Sequence, residues 1–165
     1  MTVTNLIDAL KVTVETALDD LILEKRGSQT SRNAREPDST CGVNAYKLRA
    51  PTEEAETEEV PYIIIQPLNG NDTQEAGQYP QADAKIRFVI ATYSADNSTG
   101  ALSVLTIIDR LRLAFERRGV IAEQYQLMPP LEWVIYPEDT APYFLGEIST
   151  VWTIPAVQQE VNFNG

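Results

Sequence analysis

The sequence predicts an α+β fold, with one mostly antiparallel sheet of about five or six strands and two main helices packed on one of its faces. Three observations carry that expectation. Two segments, near residues 4–22 and 99–118, repeat apolar residues at helical spacing. Shorter β-branched or alternating runs bounded by Gly, Pro and Asn read as strands. The strand runs also cluster, several between the helices and more after the second, instead of alternating one for one with helices. A chain of 165 residues with 43% hydrophobic content fits a single domain spanning 1–165.

The first helix, about 4–22, places Leu6, Ile7, Leu10, Val14, Ala17, Leu18 and Leu21 on one stripe, with Thr4 as its expected N-cap. The beginning of the chain has no basic region before this stripe and no small-residue cleavage site, so it reads as an amphipathic helix, not a leader. No apolar run is long enough to span a membrane.

EKRGSQTSRNAREPDST, residues 24–40, is nearly devoid of apolar side chains and reads as a long polar loop. It is also the most basic stretch of the chain, through Lys25, Arg26, Arg32 and Arg35, which are the candidate partner-contact residues. The plainer account is a solvated loop; the sharper one is an arm that orders against a partner. CGVNAYKLRA, 41–50, alternates as a strand. PTEEAETEEVP, 51–61, has five glutamates and no cation, and nothing apolar to hold them for chemistry, so it reads as a solvated loop.

YIIIQPL, 62–68, is expected to be a buried strand and the Asn-, Gly- and Pro-containing segment 69–82 a loop. KIRFVIATY, 85–93, is a strand with Ile86, Phe88 and Ile90 on one side and Lys85, Arg87 and Val89 on the other. The second helix carries Ala101, Val104, Leu105, Ile108, Leu111 and Phe115 on a stripe that Leu102, Ile107 and Leu113 widen. Arg117, Arg118 and Gly119 end it, cations at the negative end of the helix dipole and then glycine. Residues 120–128 read as a short strand or extended link. Residues 131–137 and 143–157 alternate as neighbouring antiparallel strands, and 158–165 as a flexible tail.

Composition narrows the chemistry. There is no histidine, which removes the commonest general base and metal ligand. Cys41 is the single cysteine, so neither an internal disulfide nor a Cys-rich metal site is available. Thirteen Lys+Arg against 24 Asp+Glu give a net charge of −11, which disfavours broad coating of duplex DNA but leaves room for a local basic patch. SADNSTG, 94–100, sits between strand and helix, where phosphates often bind. It has one glycine and no lysine, so it satisfies neither phosphate-loop pattern. It reads as a corner, with Asp96 and Asn97 turning the chain and Ser98 or Thr99 capping the helix. Asp96, Asp109, Glu132, Asp139 and Glu147 include no spacing that singles out an acid–base pair. Catalytic residues, metal and cofactors are therefore expected to be none. The Tyr and Trp residues on strands serve either core packing or a subunit interface.

The ordered set YIIIQPLNG (62–70), KIRFVIATYSADNSTG (85–100), SVLTIIDRLRLAF (103–115) and PPLEWVIYPEDTAPYFLGEISTVWTIP (129–155) resembles the tail terminator, or tail completion, proteins of long-tailed bacteriophages and prophages. The likeness covers roughly 60–157. Its most telling part runs from Leu131 to Pro155, through L-E-W, P-Y-F-L-G-E and W-T-I-P. The resemblance implies a non-enzymatic virion protein at the head-proximal end of the tail. Such a protein forms a homo-oligomeric ring, expected to be a hexamer in the virion with a monomer in solution as the alternative state, that caps the tail tube, stops its polymerisation and offers the head-joining interface. The implied partners are further copies of the chain, the major tail tube protein, the head connector or neck protein, and DNA that passes without sequence-specific binding. No membrane is implied. A different neck or tail ring, such as a head-completion or head–tail joining protein, is the nearest alternative. A small enzyme or host-directed binding module is the more distant one.

Overall fold

The computed structural model describes residues 2–25, 40–49, 60–137 and 140–158. The order is α1 (Val3–Leu18), β1 (Ile22–Glu24), β2 (Thr40–Gly42), β3 (Asn44–Lys47), β4 (Tyr62–Thr73), β5 (Gln81–Tyr93), α2 (Ala101–Arg118), β6 (Val120–Ile121), β7 (Tyr125–Ile135) and β8 (Tyr143–Ile154). Six strands form one sheet in the order β3-β4-β5-β8-β7-β6, and β1 and β2 form a separate antiparallel pair. Within the large sheet only β3–β4 is parallel. This is the expected α+β architecture.

Register explains why one face is a core. Ile65 pairs with Phe88 and Phe88 with Ile148; Ile63 pairs with Ile90 and Ala84 with Trp152. Because side chains alternate along a strand, these partners all project to the same side. Leu6, Leu10 and Val14 of α1 and Val104, Ile108, Leu111 and Phe115 of α2 close over that side in a single apolar cluster. Phe115 is the hinge of the packing: its ring centroid lies 5.1 Å from that of Phe88 and 5.6 Å from that of Trp152. The Trp152 indole N–H, buried with the ring, donates to the Thr150 hydroxyl at 2.8 Å, so its polar atom is not stranded.

Helix ends differ from expectation at the N-termini and agree at the C-terminus of α2. Thr2, not Thr4, caps α1. Its backbone N–H donates to Asn5 Oδ1 at 3.1 Å and its hydroxyl accepts from the Asn5 N–H at 3.4 Å, a reciprocal box that starts the helix at Val3. The helix stops at Leu18, although Leu21 beyond it is still buried, because the chain turns at Asp19 and Asp20 to enter β1. The N-cap of α2 is Gly100, with no side-chain cap from Ser98 or Thr99. The Phe144 ring lies where a Cβ on Gly100 would stand, so a close approach, not capping chemistry, accounts for the glycine. Gly119 ends α2 at φ 62° and donates its N–H to the Phe115 carbonyl at 2.9 Å. Ile107 is buried, but Leu102 and Leu113 are 58% and 55% exposed, so they do not widen the core stripe.

Three strand assignments change. The expected loop 69–82 is half strand: β4 runs on to Thr73 and β5 starts at Gln81, pairing as a long hairpin with a register shift between Pro67 and Asn69. The Gly70 backbone passes so close to β5 that a Cβ there would meet the Asp83 carbonyl at 2.7 Å; this glycine belongs to a strand, not to a turn. Residues 41–50 split into β2 and β3, and Leu48 has φ 70°. Residues 120–128 hold a tight β6–β7 hairpin, and β7 continues through Pro129 and Pro130 to Ile135, with its pairing to β8 interrupted between Met128 and Glu132. Two prolines without N–H donors at an interrupted ladder on an outer strand are where a sheet tolerates them.

Candidate interaction surfaces

Lys25 follows β1 and is exposed; Arg26, Arg32 and Arg35 lie outside the described residues, as does most of the acidic segment 51–61 and the tail from 159. Cys41, in β2, has its thiol pushed up by burial, with the Lys25 charge nearby opposing. That is the profile of an inert structural thiol.

The corner at 94–100 is a self-contained polar knot. One Asp96 carboxylate oxygen accepts from the Ser98 N–H at 2.9 Å and the Ser98 hydroxyl at 2.7 Å; the other accepts from the Thr99 hydroxyl at 2.7 Å. These donors, Ser98 first and then Thr99, hold the carboxyl at about 2. The donors that would greet a phosphate are already committed to Asp96. Glu24 reaches the same corner, accepting from the Ala95 N–H at 3.1 Å, and so ties the small β1–β2 pair to the main sheet.

The helix-free side of the sheet carries the alternate residues. Arg87 on β5 donates twice to Gln66 on β4, at 3.1 and 2.7 Å, and stands 3.9 Å from the Glu147 carboxylate on β8. Tyr136 donates its hydroxyl to Glu147 at 2.6 Å. Glu132 and Glu147 share a shallow depression of about 240 Å³ with Lys85, Trp133, Val134 and Ser149. Two of the five sequence candidates for acid–base work are thus brought to one place. Glu147 is held by Tyr136 and Arg87 as a member of a sheet-surface network, and such networks are worth little individually at this exposure. Asp109 pairs with Arg112 on α2, and Asp139 lies outside the described residues. Among the described residues, no group of three or more Cys, Asp or Glu is placed to hold a metal, and no helix is long and apolar enough to cross a membrane.

Beside that polar network the face also carries apolar side chains. Met128, Val134 and Tyr136 are 39%, 40% and 37% exposed, and Ile64, Val89 and Val151 are half-buried beside them. Trp133 is 45% exposed at the outer strand, whereas Trp152 is wholly buried. The two tryptophans thus divide between core and surface. Two strand edges are also open. β3 covers β4 only from Tyr62 to Ile65, and β6 covers β7 only at Tyr125 and Gln126. Among the described residues, the outer edges of β4 beyond Gln66 and of β7 beyond Leu127 have no strand partner. Open edges of this length are places where another chain can add.

A groove of about 350 Å³ runs between α1 and α2 on the opposite side of the molecule, lined in part by Arg110, Arg117 and Arg118. Sequence reading gave Arg117 and Arg118 only the role of ending α2. Their meeting with Arg110 follows from a helical period of seven to eight residues, a signal present in the sequence and not used there.

No family model matches the sequence, and no curated protein matches it. One solved structure, under a designation that names no role, aligns over 92% of this chain and 97% of its own, at 14% identity and a TM-score of 0.45. A likeness that loose carries no argument.

Proposed function

We propose that the chain is a non-enzymatic subunit of a ring at the head-proximal end of a long phage tail, where it caps the tube, stops its polymerisation and presents the head-joining face. The observation that carries this reading is the sheet surface that the telling sequence run builds. Leu131–Pro155 supplies β8 and the Leu131–Ile135 end of β7, including the exposed Trp133, part of the half-covered apolar face and one open strand edge. A sheet that, among the described residues, is open on one face and at its edges is suited to contact with further copies of itself and with a tube of other subunits. The side chains brought together on this face form hydrogen-bonded pairs at the surface, an arrangement suited to contact and not to turnover. The partners under this reading are the chain itself, the tail tube protein, the neck protein and DNA in passage, with localisation in the virion.

The test is removal of the gene from the phage or prophage that carries it, followed by electron microscopy of the particles. Tails of irregular, extended length without heads support a terminator. Tails of normal length that fail to join filled heads would instead support a head-completion or head–tail joining ring. Normal infectious particles would sink both.

A further inference from the structure

We propose that the groove between α1 and α2 is a docking site for an acidic polypeptide segment that carries an apolar side chain. Ala17, Leu113 and Ala114 form its apolar part, and Arg110, Arg117 and Arg118 stand around it. Leu113 is 55% exposed there, an apolar side chain presented to solvent beside three guanidinium groups. Arg110 is paired with Asp20 in the turn after α1, which ties that turn to α2. Among the described residues, Arg117 and Arg118 have no ion-pair partner and are exposed. Helix-end electrostatics accounts for two cations in the last turn of α2. It does not account for the apolar strip of Ala17, Leu113 and Ala114 beside them, with Leu113 presented to solvent.

Dimensions and charge select the occupant. Arg110 to Arg118 is eight residues of helix, about 12 Å at ~1.5 Å per residue. A single small anion leaves the apolar strip uncovered, whereas an extended peptide covers that length with about four residues at ~3.3 Å each. Alternate side chains of such a peptide point the same way, so carboxylates can meet the arginines while a neighbouring apolar residue meets Leu113 and Ala114. A nucleic acid backbone fits less well. Its continuous run of phosphates has no apolar group to set on the strip of Ala17, Leu113 and Ala114 beside the arginines. Guanidinium groups are the side chains best matched to carboxylates in two-pronged contacts.

The experiment is fluorescence anisotropy on the full chain, with a short labelled peptide in which one leucine is flanked on each side by two glutamates. Saturable binding that weakens as salt rises is expected. The double variant Arg117→Glu, Arg118→Glu should weaken it about tenfold or more, and Leu113→Ala about threefold. A control variant, Lys85→Glu with Arg112→Glu, makes the same change in net charge away from the groove and should leave binding within about twofold. If charge reversal prevents folding, Arg117→Gln with Arg118→Gln removes the charges more gently and should give the same direction. No saturable binding at millimolar peptide overturns the proposal. So does equal weakening by the control variant, which would mean unspecific attraction, or equal binding of a glutamine-for-glutamate peptide. Tighter binding of a single-stranded oligonucleotide, lost in the same double variant, would assign the groove to nucleic acid. Displacement of the peptide by millimolar inorganic phosphate would reduce it to a small-anion site.

Discussion

Gly146 sits in β8 directly beneath Val104 of α2. A Cβ there would lie 2.6 Å from Val104 Cγ1 and 3.0 Å from the Val134 carbonyl oxygen. Gly146→Ala therefore introduces a methyl group into occupied space. Overpacking of a close-packed core costs about 1–3 kcal/mol. Alanine recovers about 0.5–1 kcal/mol of the entropic penalty of glycine in a strand, so the net loss is about 0.5–2 kcal/mol. For a domain of this size that lowers the melting temperature by about 1–8 °C. The stronger test is the coupling with Val104, which is fully buried. Val104→Ala alone removes two methyl groups and should cost about 1.5–3 kcal/mol. In the double variant the alanine methyl at 146 enters the space vacated at 104, and the combined cost should fall short of the sum by about 1–2 kcal/mol. Rescue stays partial because the Val134 carbonyl belongs to the neighbouring strand and has no rotamer with which to retreat. Urea unfolding of the four proteins measures the cycle. Additivity within about 0.5 kcal/mol, or a Gly146→Ala protein more stable than the parent, would refute the claim that this glycine sets the helix–sheet distance.

Asp96→Ala should lower the melting temperature modestly at neutral pH. Because the folded carboxyl titrates at about 2, below an unfolded value near 3.9, its contribution is complete above about pH 4 and is lost as pH falls toward about 2; a parent–variant gap in melting temperature that does not narrow across that window would dismiss the hydrogen-bonded knot as its source. Thr2→Ala should cost about 0.5–2 kcal/mol and should increase amide hydrogen exchange chiefly in the first turn of α1, whereas Thr4→Ala should cost less; the reverse order would return the cap to Thr4. Simultaneous change of Arg26, Arg32 and Arg35 to Ala should leave thermal unfolding as it was while weakening particle assembly with a steep salt dependence, scored by counting joined particles in the microscope. Unaltered assembly would reduce the basic segment to solvated surface.

Periodicity made much of this fold legible before any coordinates. Leu6, Leu10 and Val14, then Val104, Ile108, Leu111 and Phe115, recur every three or four residues, and Ile86, Phe88 and Ile90 recur every two. Those spacings are local, and burial of one face follows from them directly. The end of α2 was equally local, since Gly119 needs only its own positive φ and the Phe115 carbonyl. Misreadings fell where a distant neighbour overrides local chemistry. Asn69, Gly70 and Asn71 have the composition of a turn, yet β5 supplies a ladder that holds them as strand. Gly100 displaces Ser98 and Thr99 from the cap because the Phe144 ring occupies the space beside it. Trp133 and Trp152 obey the same alternation on adjacent strands, but only Trp152 has Phe115 above it, while Trp133 lies on the outer strand with β6 already ended. The charged groove has the same origin: α2 sets Arg110, Arg117 and Arg118 on one side of itself, and only the packing of α1 against α2 turns that side into a cleft. Alternation and helical period depend on neighbours along the chain; which strand ends first, and which helix lies across which, depends on partners far away in sequence.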